Sequence, residues 1–143
     1  MADCRKIDLP DNSAAAIYAS HVLEHVPYIG EAGKALAEWY RLLQPGGRLM
    51  VAVPDIEAIF RLFLDPAHGL KERARLLPVI YGAQVDEHDR HLGGYDLEML
   101  GIYLHTAWFT NIRLVSSFGL FKDASEFRFN KTPISLNVEA RKP

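Results

Sequence analysis

His21 and His25 stand four residues apart, so on a helix their rings would share one face, a spacing used by pairs of metal-ligating histidines. No third ligand accompanies them at that spacing, and the reading adopted is of hydrogen-bonded histidines that cap and begin a helix, without a metal. A second group, Asp86, Glu87, His88, Asp89 and His91, is rich in ligand and base types. It reads as a solvated loop, the alternatives being a metal site and a substrate-side role for His88 or His91, including His91 as general base, since histidine titrates near neutral pH. Cys4 is the only cysteine. Nothing beside it suggests an activated nucleophile, so a passive thiol is expected.

These groups need elements to hold them. Ala14-Ala15-Ala16-Ile17-Tyr18-Ala19 is an apolar run without alternation, which suits a strand buried on both faces. The polar segment from Ser20 to His25 therefore falls just past the carboxyl end of a strand, where ligands bind in open α/β sheets. Ala32, Ala35, Leu36, Trp39, Leu42 and Leu43 draw an apolar stripe on a helix from about Glu31 to Leu43, ended by Gln44-Pro45-Gly46-Gly47. Arg48 to Val53 is a second buried strand, closed by Pro54. Strand, helix, tight turn and strand form a βαβ unit with parallel strands and a right-handed crossover.

Asp55 can cap a helix carrying Ile56, Ile59, Phe60 and Phe63, ended by Asp65-Pro66. Leu70 to Tyr81 reads as a helical stretch interrupted by Pro78. Gly82 to Tyr95 is a polar loop long enough to be functional or mobile. Asp96 caps a helix from Leu97 to Trp108, with Leu97, Leu100, Leu104 and Trp108 on one side. Two strands are expected last, Ile112 to Ser116 and Ser135 to Ala140, joined by a stretch bearing Phe118, Phe121, Phe127 and Phe129.

The 143 residues suffice for one domain, and 49% hydrophobic with 24% charged residues is ordinary globular composition. Sixteen basic against eighteen acidic side chains, without a basic cluster, exclude nucleic-acid binding driven by phosphate neutralisation. Apolar runs such as Leu49 to Val53 are far short of the roughly 20 residues that span a bilayer. No apolar signal core follows the N-terminus, and one cysteine permits no internal disulfide, so a cytoplasmic, reducing location is expected.

Leu9-Pro10-Asp11-Asn12-Ser13, Ile17 to Val26, Glu38-Trp39-Tyr40-Arg41-Leu42-Leu43-Gln44-Pro45-Gly46-Gly47 and Val53-Pro54-Asp55 together resemble the class I S-adenosylmethionine-dependent methyltransferases, more narrowly the methyltransferase type 11 group. The resemblance is continuous from Asp3 to about Ile59 and looser to the end. It implies a Rossmann-like α/β fold in which the family's seven strands run 3-2-1-4-5-7-6. Ala15 to Ser20 matches strand 4, Arg48 to Val53 strand 5, and the last two strands the antiparallel 6 and 7. Asp3 matches the acidic position that accepts from the adenine amino group, with the Cys4 amide at the ring edge. Ser20 and His21 match the segment lining the methionine moiety and the methyl-transfer face. His21 or His91 would help remove a proton from an acceptor, expected to be a small molecule.

The sequence contains no Gly-x-Gly, the loop that in the family cradles the methionine end of the cofactor with backbone N–H groups. The expectation is therefore a single methyltransferase-like domain over 1–143, truncated at its N-terminus, with a partial sheet of strands 4, 5, 7 and 6 and flanking helices. A micromolar cofactor complex corresponds to about 8 kcal/mol, and each charge-assisted hydrogen bond removed costs roughly 1.5 to 3 kcal/mol, so this chain alone should bind S-adenosylmethionine poorly. An exposed strand edge near Ala14 to Ser20 should pair with a second copy into a homo-oligomer. The alternative is a non-catalytic dimerising or partner-binding remnant of the fold.

Overall fold

The computed structural model describes residues 3–143. Its main sheet has four strands in the order β1-β2-β6-β3, where β1 is Ala14–Ser20, β2 Leu43–Pro54, β3 Thr110–Leu114 and β6 Ser135–Arg141. β1 and β2 are parallel, and β6 runs antiparallel to both β2 and β3. This is the arrangement expected for strands 4, 5, 7 and 6. Helix α1 (Glu31–Leu42) makes the crossover from β1 to β2 and buries Ala32, Ala35, Leu36, Trp39 and Leu42, the stripe its spacing draws. With α4 (Leu97–Thr106) it covers the sheet face formed by Leu49, Val51, Val53, Leu136, Val138 and Ala140.

The opposite face is more polar. There the Tyr18 hydroxyl donates to the Asp123 carboxylate at 2.9 Å, and the Asn137 amide donates to the Ser125 carbonyl at 2.9 Å, so the 116–127 segment is tied across the sheet. A second apolar cluster joins α2 (Ile56–Leu64) and α3 (Leu70–Tyr81) to Phe129 and Ile134, from a small hairpin of β4 (Arg128–Phe129) and β5 (Thr132–Pro133) and the residue after it. Asp55 and Asp96 cap α2 and α4 through the Ala58 and Met99 amides at 3.0 and 2.7 Å.

Four local expectations are corrected. β1 lies at a sheet edge with Ala15 and Ala16 exposed, so its apolar run reflects small residues rather than burial on both faces. The Gln44 to Gly47 turn is a bulge within β2: Ala14 pairs with Leu43 and Ala16 with Arg48. α3 continues through Pro78, because both Pro78 and Ala74 are exposed and water can take the carbonyl that proline frees. α4 stops at Thr106, and Trp108, 76% exposed with φ +70°, leaves the apolar side of the helix.

Candidate active site

The chain leaves β1 at Ser20 and turns at once. His21 has φ +53°, a left-handed backbone that histidine seldom adopts, and its amide donates to the Ala52 carbonyl at 2.9 Å, which ties the turn to the end of β2. A 3₁₀ turn over Leu23–His25 follows. The 82–95 loop folds back over it, with the Leu92 and Gly93 amides donating to the Glu24 carbonyl at 2.6 and 2.9 Å. From the other side come Asp3 to Arg5, anchored where Trp39 Nε1 donates to the Cys4 carbonyl at 3.0 Å. Between these three segments lies a cleft of about 720 Å³.

Asp3, Cys4 and His21, expected to meet a cofactor, all line this cleft, together with Arg5, His25 and the 86–90 stretch. Ser20 does not. Strand alternation turns it to the face of Tyr18 and Asp123, and its hydroxyl is buried there. His91 also stands outside the cleft wall, half-buried behind His25, with ring centroids 4.9 Å apart in an edge-to-face contact.

The Arg5 guanidinium and amide hydrogen-bond the Asp3 carboxylate and hold its pKa down at about 2, so Asp3 is a permanent acceptor. Burial pushes the Cys4 thiol up, which suits a neutral thiol at the cleft wall rather than a nucleophile. Burial also lowers the His91 pKa, against the pull of the Glu24 charge, and leaves a neutral imidazole with a basic nitrogen.

His21 has two partners. Ser135 Oγ donates to the Ala124 carbonyl at 2.6 Å, so it accepts from His21 Nε2, 3.0 Å away. That network assigns the tautomer and leaves Nδ1 as the basic atom, 3.0 Å from Glu24 Oε1. Only its place inside the apolar run Val22-Leu23-Glu24-His25-Val26 marks Glu24 in the sequence, and in the fold it is wholly buried. Tyr95, also buried beside this carboxylate, has its pKa raised chiefly by burial and its hydroxyl has no partner.

A methyltransferase-domain family model matches residues 1–51. Among solved structures, a Thermotoga maritima SAM-dependent methyltransferase, described as a possible histamine N-methyltransferase, superposes with a TM-score of 0.59 at 18% identity, covering 99% of this chain and 62% of that one. The chain has a methyltransferase-like fold. A SAM-dependent methyltransferase from Archaeoglobus fulgidus gives a TM-score of 0.60 at 14% identity over 99% of this chain and 66% of its own. Human N-acetylserotonin methyltransferase, solved with SAM, gives 0.59 at 18% identity over 99% and 32%. This methyltransferase-like chain thus spans less than two thirds of the length of these structures. No curated protein matches it.

Proposed function

We propose that this chain provides the adenine-edge and acceptor side of an S-adenosylmethionine-dependent methyl-transfer site. The observation that carries this reading is the cleft past the carboxyl end of β1, where Asp3, Cys4 and His21 converge from separate segments. The residues fit one end of the cofactor: an ionised acceptor and a backbone amide for adenine, and a histidine at the transfer face. They do not include a Gly-x-Gly cradle for the methionine end. When bound, the cofactor supplies a methyl group on a positively charged sulfur.

Asp3 orients the adenine edge, and the 86–90 stretch closes the cleft over a small-molecule acceptor. His21, at the cleft wall, assists removal of the acceptor's proton. His91 supports the site from behind His25 as its second basic group. Catalysis rests mainly on positioning.

Two further expectations belong to this reading. The domain works in the cytoplasm, in keeping with a lone thiol at Cys4; no helix among the described residues is long and apolar enough to cross a membrane. The outer edge of β1, which pairs with no strand among the described residues, joins a second copy. Sedimentation should then show a dimer, and a monodisperse monomer at high micromolar concentration would remove that contact.

Titration calorimetry with S-adenosylhomocysteine tests the main reading. Binding should lie well above micromolar, toward millimolar, and Asp3→Ala should weaken it at least several-fold through the lost hydrogen bond. No heat at millimolar ligand would remove the cofactor from this chain.

A further inference from the structure

Glu24 is an unusual residue to find fully buried. A carboxylate withdrawn from water is costly unless hydrogen bonds or opposite charge replace the solvent. Yet among the described residues neither carboxylate oxygen has a hydrogen-bond partner, although His21 Nδ1 lies 3.0 Å from Oε1. Besides His21, a pair of histidines faces Glu24. One ligand atom from each of Glu24, His25 and His91 lies within 4.8 Å of the others.

The His25 ring is already oriented as a ligand is. His25 Nδ1 is 3.1 Å from the Arg90 carbonyl, which makes Nδ1 the protonated nitrogen and leaves Nε2 with a free lone pair. Fixing the tautomer through a backbone carbonyl is how metal-ligating histidines are held. The main chain shares in the preparation, since the Leu92 and Gly93 amides lock the loop that carries His91 onto the Glu24 carbonyl.

We propose that Glu24, His25 and His91 bind a divalent transition-metal ion of the zinc class. Two histidines and one carboxylate make a three-ligand site that leaves a coordination position open. His25 lines the cleft, so the site borders it, and water or an acceptor oxygen or nitrogen completes the coordination. Ligand atoms around one tetrahedral zinc lie about 3.3 Å apart, so binding draws the three side chains inward by about 1 Å. The ion supplies the positive charge that Glu24 lacks and clips the 82–95 loop to the end of β1. The pairing considered from spacing, His21 with His25, is not the one the fold assembles: His21 is held by Ser135, and His91 takes its place. The inference goes beyond the methyl-transfer reading and does not depend on cofactor binding.

The test uses the tag-free full chain, stripped with chelator and dialysed against zinc or cobalt(II). One ion per chain should bind, cobalt should show the intense visible absorption of a tetrahedral site, and zinc should raise the thermal midpoint. His91→Ala and the near-isosteric Glu24→Gln, each checked for fold by circular dichroism, should weaken zinc binding at least tenfold. His88→Ala, an exposed histidine of the same loop, should bind zinc like the wild type. Less than one ion per chain, an octahedral cobalt spectrum, or equal affinity in the His91 and His88 variants would overturn the site. Because calorimetry with S-adenosylhomocysteine is read on the metal-free chain, failure of the metal site and failure of the cofactor reading are separate outcomes.

Discussion

His21 Nδ1 lies 3.0 Å from Glu24 Oε1, and the two residues belong to one turn in which His21 adopts a left-handed backbone. The contact joins a largely buried ring at the cleft wall to a carboxylate with no access to water. Each side chain is therefore in direct contact with the other when no ion is bound. In chelator-treated protein, His21→Ala should cost about 1–3 kcal/mol, because it strands the Glu24 carboxylate and leaves Ser135 without its donor. Glu24→Gln removes the charge that is stranded. The double variant should be more stable than the sum of the singles by roughly 0.5 kcal/mol or more, read from urea midpoints. Strict additivity would show that the contact contributes nothing to stability.

The Glu38 carboxylate accepts from the Ile7 amide at 2.7 Å and from Arg41 Nη2 at 2.7 Å and Nε at 2.8 Å. Arg41 foremost, then the Ile7 amide, hold its pKa at about 2. This clip fixes the segment that brings Asp3 and Cys4 to the cleft. A folded-state pKa below that of the unfolded chain, about 4.3, stabilises the protein at any pH above the unfolded value. That contribution drains away as pH falls from about 4.3 toward 2. The wild type should therefore lose urea resistance across this window more steeply than Glu38→Gln, which has no such proton to gain. Parallel slopes for the two proteins would show that the clip does not stabilise the fold.

Much of the architecture was legible because it rests on short-range pattern. The α1 stripe and the caps Asp55 and Asp96 follow from spacing of three or four residues, and the parallel β1–β2 pair and the site past β1 follow from the order of strand, helix, tight turn and strand. What was not legible depends on partners distant in sequence. The meeting of His25 with His91 needs a loop 66 residues away to return over the 3₁₀ turn. The burial of Glu24 is fixed by that same return. Ser20 marks a conflict between two signals: alternation from Tyr18 places it on the face away from the cleft, whereas the family pattern sets it against the cofactor.

The return of the 82–95 loop depends on Gly82. Its φ is +78°, and a Cβ built there would sit 2.0 Å from the Asp89 carbonyl oxygen and 2.9 Å from the carbonyl carbon, a collision with backbone that no side-chain rotation relieves. The same carbonyl accepts from the Gln84 amide at 3.2 Å and so closes the loop on itself. Gly82→Ala must open that closure and displace His91, whose amide donates to the Tyr81 carbonyl at 3.2 Å. Gly119 is the matched control. It also has a positive φ, +66°, but nothing lies within 4 Å of its added Cβ, so Gly119→Ala carries backbone strain alone. Limited proteolysis should cut Gly82→Ala within 83–90 many times faster than wild type, with zinc affinity reduced in step, while Gly119→Ala should keep both the wild-type cleavage rate in this loop and its zinc affinity. Equal cleavage of the two variants would mean that the loop is held by its contacts to Glu24 rather than by the turn at Gly82.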